Sequence, residues 1–261
     1  MTARGKAGPP TPAPADAALV RRSTVPSGLK YGEYRQTLRH DFIYSCAYCT
    51  MSEAEARAIR FTIDHYEPRN ARPDLIDDYD NLMYSCDECN DRKGDRCPPS
   101  EARAQGHRFF RPDQDRYQDH FQIKGVRLEA QSNPGTYSLE ALDLNRLSLR
   151  RLRDIRARLH KCDHLVVAGV LGLRAFHIDR LPPSLKGQAA RAIRQVVSMA
   201  DKVADGIDSL LRDFARSPLI DPDPEAEVRA EERAAKLQQV QALYPGNWRA
   251  PRKKRSATPK S

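Results

Sequence analysis

The chain has 261 residues, enough for one sizeable domain or for a small catalytic module joined to a second packing unit. Its 44 Lys and Arg against 35 Asp and Glu leave a net charge of +9, with the basic residues in runs, which suits a polyanionic partner such as nucleic acid. No apolar run is long enough to span a bilayer and the Pro/Ala-rich start lacks the apolar stretch of a secretory signal, so the expectation is a soluble, cytoplasmic protein with no membrane partner.

Residues 1–27 are rich in Pro, Ala and Gly and short of large apolar groups, and are expected to form a disordered tail. Residues 28–145 are expected to form the chemical domain, dense in Cys, His, Asp, Asn and aromatic residues, with little helical periodicity beyond a short stretch near Ser52–Ile59. The alternating segment Phe61–Pro68 reads as a strand delivering Asp64 and His65 at its end. Arg92 and Lys93 follow on a short helix that stops at Gly94, and residues 107–130 read as short strands around Lys124-Gly125.

From 146 to 245 the pattern becomes helical. Leu152, Ile155 and Leu159 share one face of a basic amphipathic helix whose arginines run from Arg150 to Arg158, either a surface for a phosphate backbone or a solvated face. Cys162–Phe176 reads as a buried helix ended before Pro182-Pro183, with Ser184 as cap of the next. Ile193, Val196, Val197, Ala200, Val203, Ile207, Leu210 and Phe214 then recur at helical spacing as core, and a charged helix covers Pro224–Leu243. Residues 246–261, ending PRKKRSATPKS, are expected to be a basic disordered tail. His107, His120, His160 and His164 show no ligand spacing and read as structural, and Cys97 and Cys162 show no pattern.

The pairs Cys46/Cys49 and Cys86/Cys89 supply four thiolates, the ligand set of a closed structural Zn²⁺ site, with a redox dithiol as the weaker alternative. Between and after them lies an ordered series: Cys46-x-x-Cys49, Asp64-His65-x-x-Pro68, Asn81-Leu82, Cys86-x-x-Cys89-Asn90-x-x-Lys93-Gly94. This series, over residues 42–97, resembles the HNH endonucleases in their zinc-stapled ββα-metal form. The resemblance implies an α+β fold, a small ββα-metal core with a four-cysteine zinc site followed by a mainly α-helical C-terminal region. It implies that His65 is the general base activating water, that Asn81 orients its imidazole, and that Asp64 and Asn90 hold a catalytic Mg²⁺ or Mn²⁺. Asn90 stands at the last motif position, where the family has His or Asn, which makes this an H-N-N variant with a hard oxygen donor.

Arg92, Lys93 and Arg69, with Arg72, are candidates for phosphate contacts, exposed surface charge being the equal alternative. The expected activity is metal-dependent hydrolysis of phosphodiester bonds, in DNA before RNA. The alternatives are a zinc-stapled binding module without chemistry and an RNase on the same fold. His120-Phe121, Gly135–Leu139 and Leu142–Arg146 resemble more loosely the segment after the core in PtuB-like antiphage nuclease subunits, which implies an ATPase partner protein.

Overall fold

Phe61–His65 (β1) and Leu82–Cys86 (β2) pair antiparallel, with Phe61 opposite Cys86 and His65 opposite Leu82, in a computed structural model that describes residues 20–56, 58–174, 182, 185–215 and 223–251. Every residue of β2 is buried, as expected of a strand covered on both faces. Helix α1 (Arg35–Asp41) lies against β2, with Leu38 fully enclosed. Helix α2 (Asp87–Lys93) starts directly from β2, with Cys86 as its N-cap. Asp87 and Glu88 occupy its first turn and Arg92 and Lys93 its last, an arrangement that complements the helix dipole. Gly94, at φ 51°, ends it with an N–H···O bond back to Asn90, so the unit reads strand, strand, helix.

The stretch Ser52–Ile59, expected to be helical, instead forms successive tight turns, with residue 57 outside the described set. Ser52 donates both its amide and its hydroxyl to Glu55, while Glu53 is pulled away by Arg39 and Tyr84, so the first helical turn is never propagated.

Two compact units divide the chain: one built from residues up to Gln122, Glu129–Leu144 and the chain from Ala234 on, the other from Ile123–Leu128 and Asn145–Arg233. The first adds the short helices α3 (Ser100–Ala104) and α4 (Tyr117–His120) and the buried helix α5 (Asn133–Leu142) to the strand-strand-helix core. Strands β3 (Phe121–Lys124) and β4 (Arg127–Ala130) form a second small sheet turning at Gly125, as the sequence suggested. Ser132 caps α5 by accepting from the Gly135 amide, and a Cβ at Gly135 would sit 2.2 Å from the His120 carbonyl, so only glycine fits. Near its end the chain returns to this unit: the Trp248 carbonyl accepts from Cys97 N, Ala250 N donates to the Asp95 carbonyl, and Arg249 pairs with Asp95 at 2.6 Å. Trp248 lies against Tyr137, ring centroids 5.9 Å apart.

The second unit is helical. α6 (Leu147–Arg174) runs without a break where two helices were expected, and packs against α7 (Lys186–Ala215); α8 (Ala226–Leu243) follows, its residues from Ala234 on belonging to the first unit. The apolar row of α7 is not closed core: Ile193, Val197 and Ile207 remain about half exposed, because one neighbouring helix covers only part of the stripe. Val166 of α6 is exposed as well. Ser184 and the side chains of His164, Leu210 and Phe214 lie outside the described residues, as do 1–19 and 252–261 of the tails expected at 1–27 and 246–261. The rest of the N-terminal stretch is held in place, contrary to expectation: Val20 is buried, and Arg22 pairs with Asp113 at 3.0 Å and donates to the Leu82 carbonyl. The arginine row is engaged within the unit: Arg150 pairs with Asp223 and Glu225, Arg153 donates to the Val126 carbonyl, and Arg158 pairs with Asp154. Among the described residues no helix is long and apolar enough to cross a membrane.

Replacing Trp248 by Ala removes a buried aromatic anchor of the returning C-terminal segment. The expected cost is about 3 kcal/mol of stability, read as a lower urea midpoint by far-ultraviolet circular dichroism.

Candidate active site

Ser45 and Ser52 form an isolated antiparallel bridge, closing a knuckle in which the Cys46 amide donates to Met51 O and the Thr50 amide to Cys46 O. The Ala47 amide is tied to the Tyr84 carbonyl of β2, which brings this knuckle against the β2–α2 junction. The thiols of Cys46, Cys49, Cys86 and Cys89 are all buried, and their Sγ atoms lie within 4.8 Å of one another. Cys49 Sγ and Cys86 Sγ are 3.8 Å apart. Tetrahedral coordination with Zn–S bonds of about 2.3 Å places sulfurs about 3.8 Å from each other, so the cluster fits a structural zinc ion. A redox dithiol needs an accessible thiol, and these four are enclosed.

A cleft of about 670 Å³ is lined by Asp64 and His65 of β1, Asn90 of α2, Arg69, Ile76 and Asp95 among others. His65 Nε2 lies 2.9 Å from the Ile76 carbonyl oxygen. A carbonyl can only accept, so in the neutral ring Nε2 carries the proton and Nδ1 keeps its lone pair. Burial lowers the His65 pKa below that of ordinary histidine, and the nearby Arg69 charge pulls the same way, which favours the neutral ring. Tyr31 meets the imidazole edge-on at 5.0 Å.

Asn81 does not touch the imidazole, contrary to the role the resemblance implied. Its Oδ1 accepts from the Glu67 amide and its Nδ2 donates to the carbonyls of Glu67 and Leu75. It therefore ties Glu67 and Leu75 of the loop between β1 and β2, and the residue after Leu75 supplies the carbonyl that holds His65.

Asp64 is buried and both carboxylate oxygens are engaged: Oδ2 accepts from the Tyr48 hydroxyl at 2.5 Å and Oδ1 from Lys93 Nζ at 3.1 Å. Lys93, assigned to phosphate contact on the sequence, is fully enclosed, its ammonium also donating to the His65 carbonyl at 2.6 Å and lying over the Phe109 ring. Burial pushes the Asp64 carboxyl above its usual range, against the pull of Lys93 and Tyr48. Burial and the adjoining carboxylate hold the Tyr48 proton on its oxygen, so it stays a donor.

A carboxylate has about four lone-pair sites, and these two bonds occupy two of them. Asn90 uses its Nδ2 on Thr62 Oγ1 at 3.2 Å, which keeps the amide oxygen as an acceptor. A carboxylate and an amide oxygen lining one cleft are hard donors that fit a Mg²⁺-like cation. Arg69 lines the cleft and is exposed, whereas Arg92 turns to Asp143 at 3.6 Å and Arg72 to Asp74 at 2.6 Å. The sequence reading missed Tyr48, Tyr31 and the Ile76 carbonyl. No motif marks any of the three, because a backbone carbonyl comes with every residue and the aromatic rings are recruited through the fold.

Compared with known proteins, residues 46–96 match the family model described as HNH endonuclease. No curated protein matches the chain, and no solved structure does.

Elemental analysis is expected to find one zinc per chain, and a strong chelator should remove it with loss of the near-ultraviolet signal of the aromatic cluster. Lys93→Met leaves the Asp64 charge buried without its cation, for an expected loss of about 3–5 kcal/mol, measurable as a reduced denaturant midpoint at neutral pH.

Proposed function

We propose that this chain is a metal-dependent endonuclease that hydrolyses phosphodiester bonds in DNA, with His65 as the general base. The observation that carries the reading is the hydrogen bond from His65 Nε2 to the Ile76 carbonyl in the cleft shared with Asp64 and Asn90. It selects the tautomer whose Nδ1 can take a proton from water, and burial keeps that nitrogen unprotonated near neutral pH. Asp64 and Asn90 are assigned to a Mg²⁺ or Mn²⁺ ion, which when bound neutralises charge on the scissile phosphate and the departing oxygen.

The chain's own part is positional. Asn81 clamps the loop, the loop fixes Ile76, and Ile76 fixes the imidazole. Lys93 and Tyr48 hold the Asp64 carboxylate in one orientation, which lowers the entropy lost when a cation joins it. The net charge of +9 favours a polyanionic substrate, and exposed Arg69 at the cleft is assigned to a phosphate beside the scissile one.

Purified protein incubated with supercoiled plasmid is expected to cleave it in Mg²⁺ or Mn²⁺ and not in a chelator that spares the zinc, with a parallel RNA substrate reporting the preference. His65→Ala is expected to lower cleavage by at least about 10³-fold with zinc content and circular dichroism unchanged. Equal cleavage by wild type and variant would overturn the assignment.

A further inference from the structure

A second cleft, of about 630 Å³, opens on the neighbouring part of the same strand. Phe61 and Thr62 of β1 line it, where Ile63, Asp64 and His65 line the catalytic one. The two share a wall: Asn90, which lines the catalytic cleft, donates its Nδ2 to Thr62 Oγ1, which lines the second.

The second cleft is built of arginines on an aromatic floor. Arg35 and Arg39, one helical turn apart on α1, and Arg60, just before β1, face it; Phe61 and Tyr84 stack beneath with centroids 5.2 Å apart. Its one lining carboxylate, Glu53, is spent. Arg39 holds it through two bonds of 2.6 Å and the Tyr84 hydroxyl adds a third, which keeps Glu53 ionised and matched to Arg39. Two positive charges remain in excess. Arg35 Nη2 donates to the Phe61 carbonyl at 2.6 Å, a neutral partner that aims the guanidinium, and the carboxylate its charge acts on, Glu53, is already held by Arg39. Arg60 lies 3.3 Å from Asp87, but its side chain is 88% exposed, where such a pair is worth little and is readily exchanged.

One guanidinium held by its carbonyl bond and a second that is exposed and exchangeable, beside a site for one phosphodiester, suit another phosphate of the same polymer. Along β1 the two clefts are about 10 Å apart at 3.3 Å per residue, a span that about one or two nucleotides of a B-form strand cover once the winding of the phosphates about the axis is added to their axial rise. We propose that the Arg35/Arg60 cleft binds a backbone phosphate about one or two nucleotides from the bond that the neighbouring cleft cleaves. The proposal rests on the nuclease reading for its substrate, and its own evidence is the second cleft and its unmatched charge.

The test measures binding and cleavage apart. Full-length, zinc-loaded His65→Ala protein is titrated with a fluorescent 30-base-pair duplex at several salt concentrations, alone and with Arg35→Ala/Arg60→Ala added. Losing the contact to that one phosphate should reduce the slope of log affinity against log salt by about one and weaken binding about fivefold at 0.15 M salt. Arg35→Lys/Arg60→Lys, which keeps the charge, should retain most of the wild-type slope. In the otherwise wild-type enzyme the alanine pair should raise KM for plasmid and leave kcat within about twofold. Wild-type affinity and salt slope in a folded, zinc-containing alanine variant would overturn the phosphate site. Normal salt-dependent binding by a chain that never cleaves would remove the nuclease reading and leave the site standing.

Discussion

Two strands and a seven-residue helix bury too little to hold themselves together, since an isolated hairpin is marginal in water. The constraint that makes this core possible is the convergence of four buried thiols from two places far apart in sequence. Cys86 is at once the last residue of β2, the N-cap of α2 and a member of the cluster. A single tetrahedral ion at that point would set the angle between strand and helix and dock the Cys46 knuckle on both. The cleft of the proposed chemistry is lined by Asn90 of that helix and by Asp64 and His65 of β1, so the distance between β1 and Asn90 would depend on that staple.

The second constraint is electrostatic. A lysine with no exposed surface is costly unless its charge is met, and Lys93 meets Asp64 and the His65 carbonyl together. The pair ties the end of α2 to the end of β1, at the two residues on which the chemistry is proposed. A buried ion pair of this kind is poor evidence for stability but good evidence for geometry, because its members tolerate few other positions. Tyr48, from within the first knuckle, completes the arrangement and links the zinc-binding loop to the cleft through one hydroxyl.

Much of this was legible in the sequence because it depends on spacing. The cysteine pairs, the strand Phe61–His65, the helix stopped by Gly94 and the helical second half all follow from periodicity and turn chemistry, and the HNH domain follows from their order. Lys93 reads on the sequence as a phosphate contact or as surface charge, exposed either way, since lysine is rarely buried. The signal against that reading was present: Cys86, Cys89 and Lys93 fall at i, i+3 and i+7, on one face of α2, and the cysteines already marked that face as interior. The half-covered row on α7 was overread for a related reason, because an amphipathic pattern says which face turns inward and not how much partner there is to cover it.

Asn81 shows the limit of assigning roles by position. Read as a motif, it belongs beside the histidine; in the fold it bonds only to backbone, at Glu67 and Leu75. The effect on His65 is nevertheless the same in kind. An asparagine that ties Glu67 and Leu75 of the fifteen-residue stretch from Tyr66 to Asp80 restrains the backbone beside Ile76. The Ile76 carbonyl then decides which ring nitrogen holds the proton. Side-chain identity matters at Asn81, whereas at Ile76 only backbone position does. A reading confined to side chains therefore finds the clamp and misses the atom on which it acts.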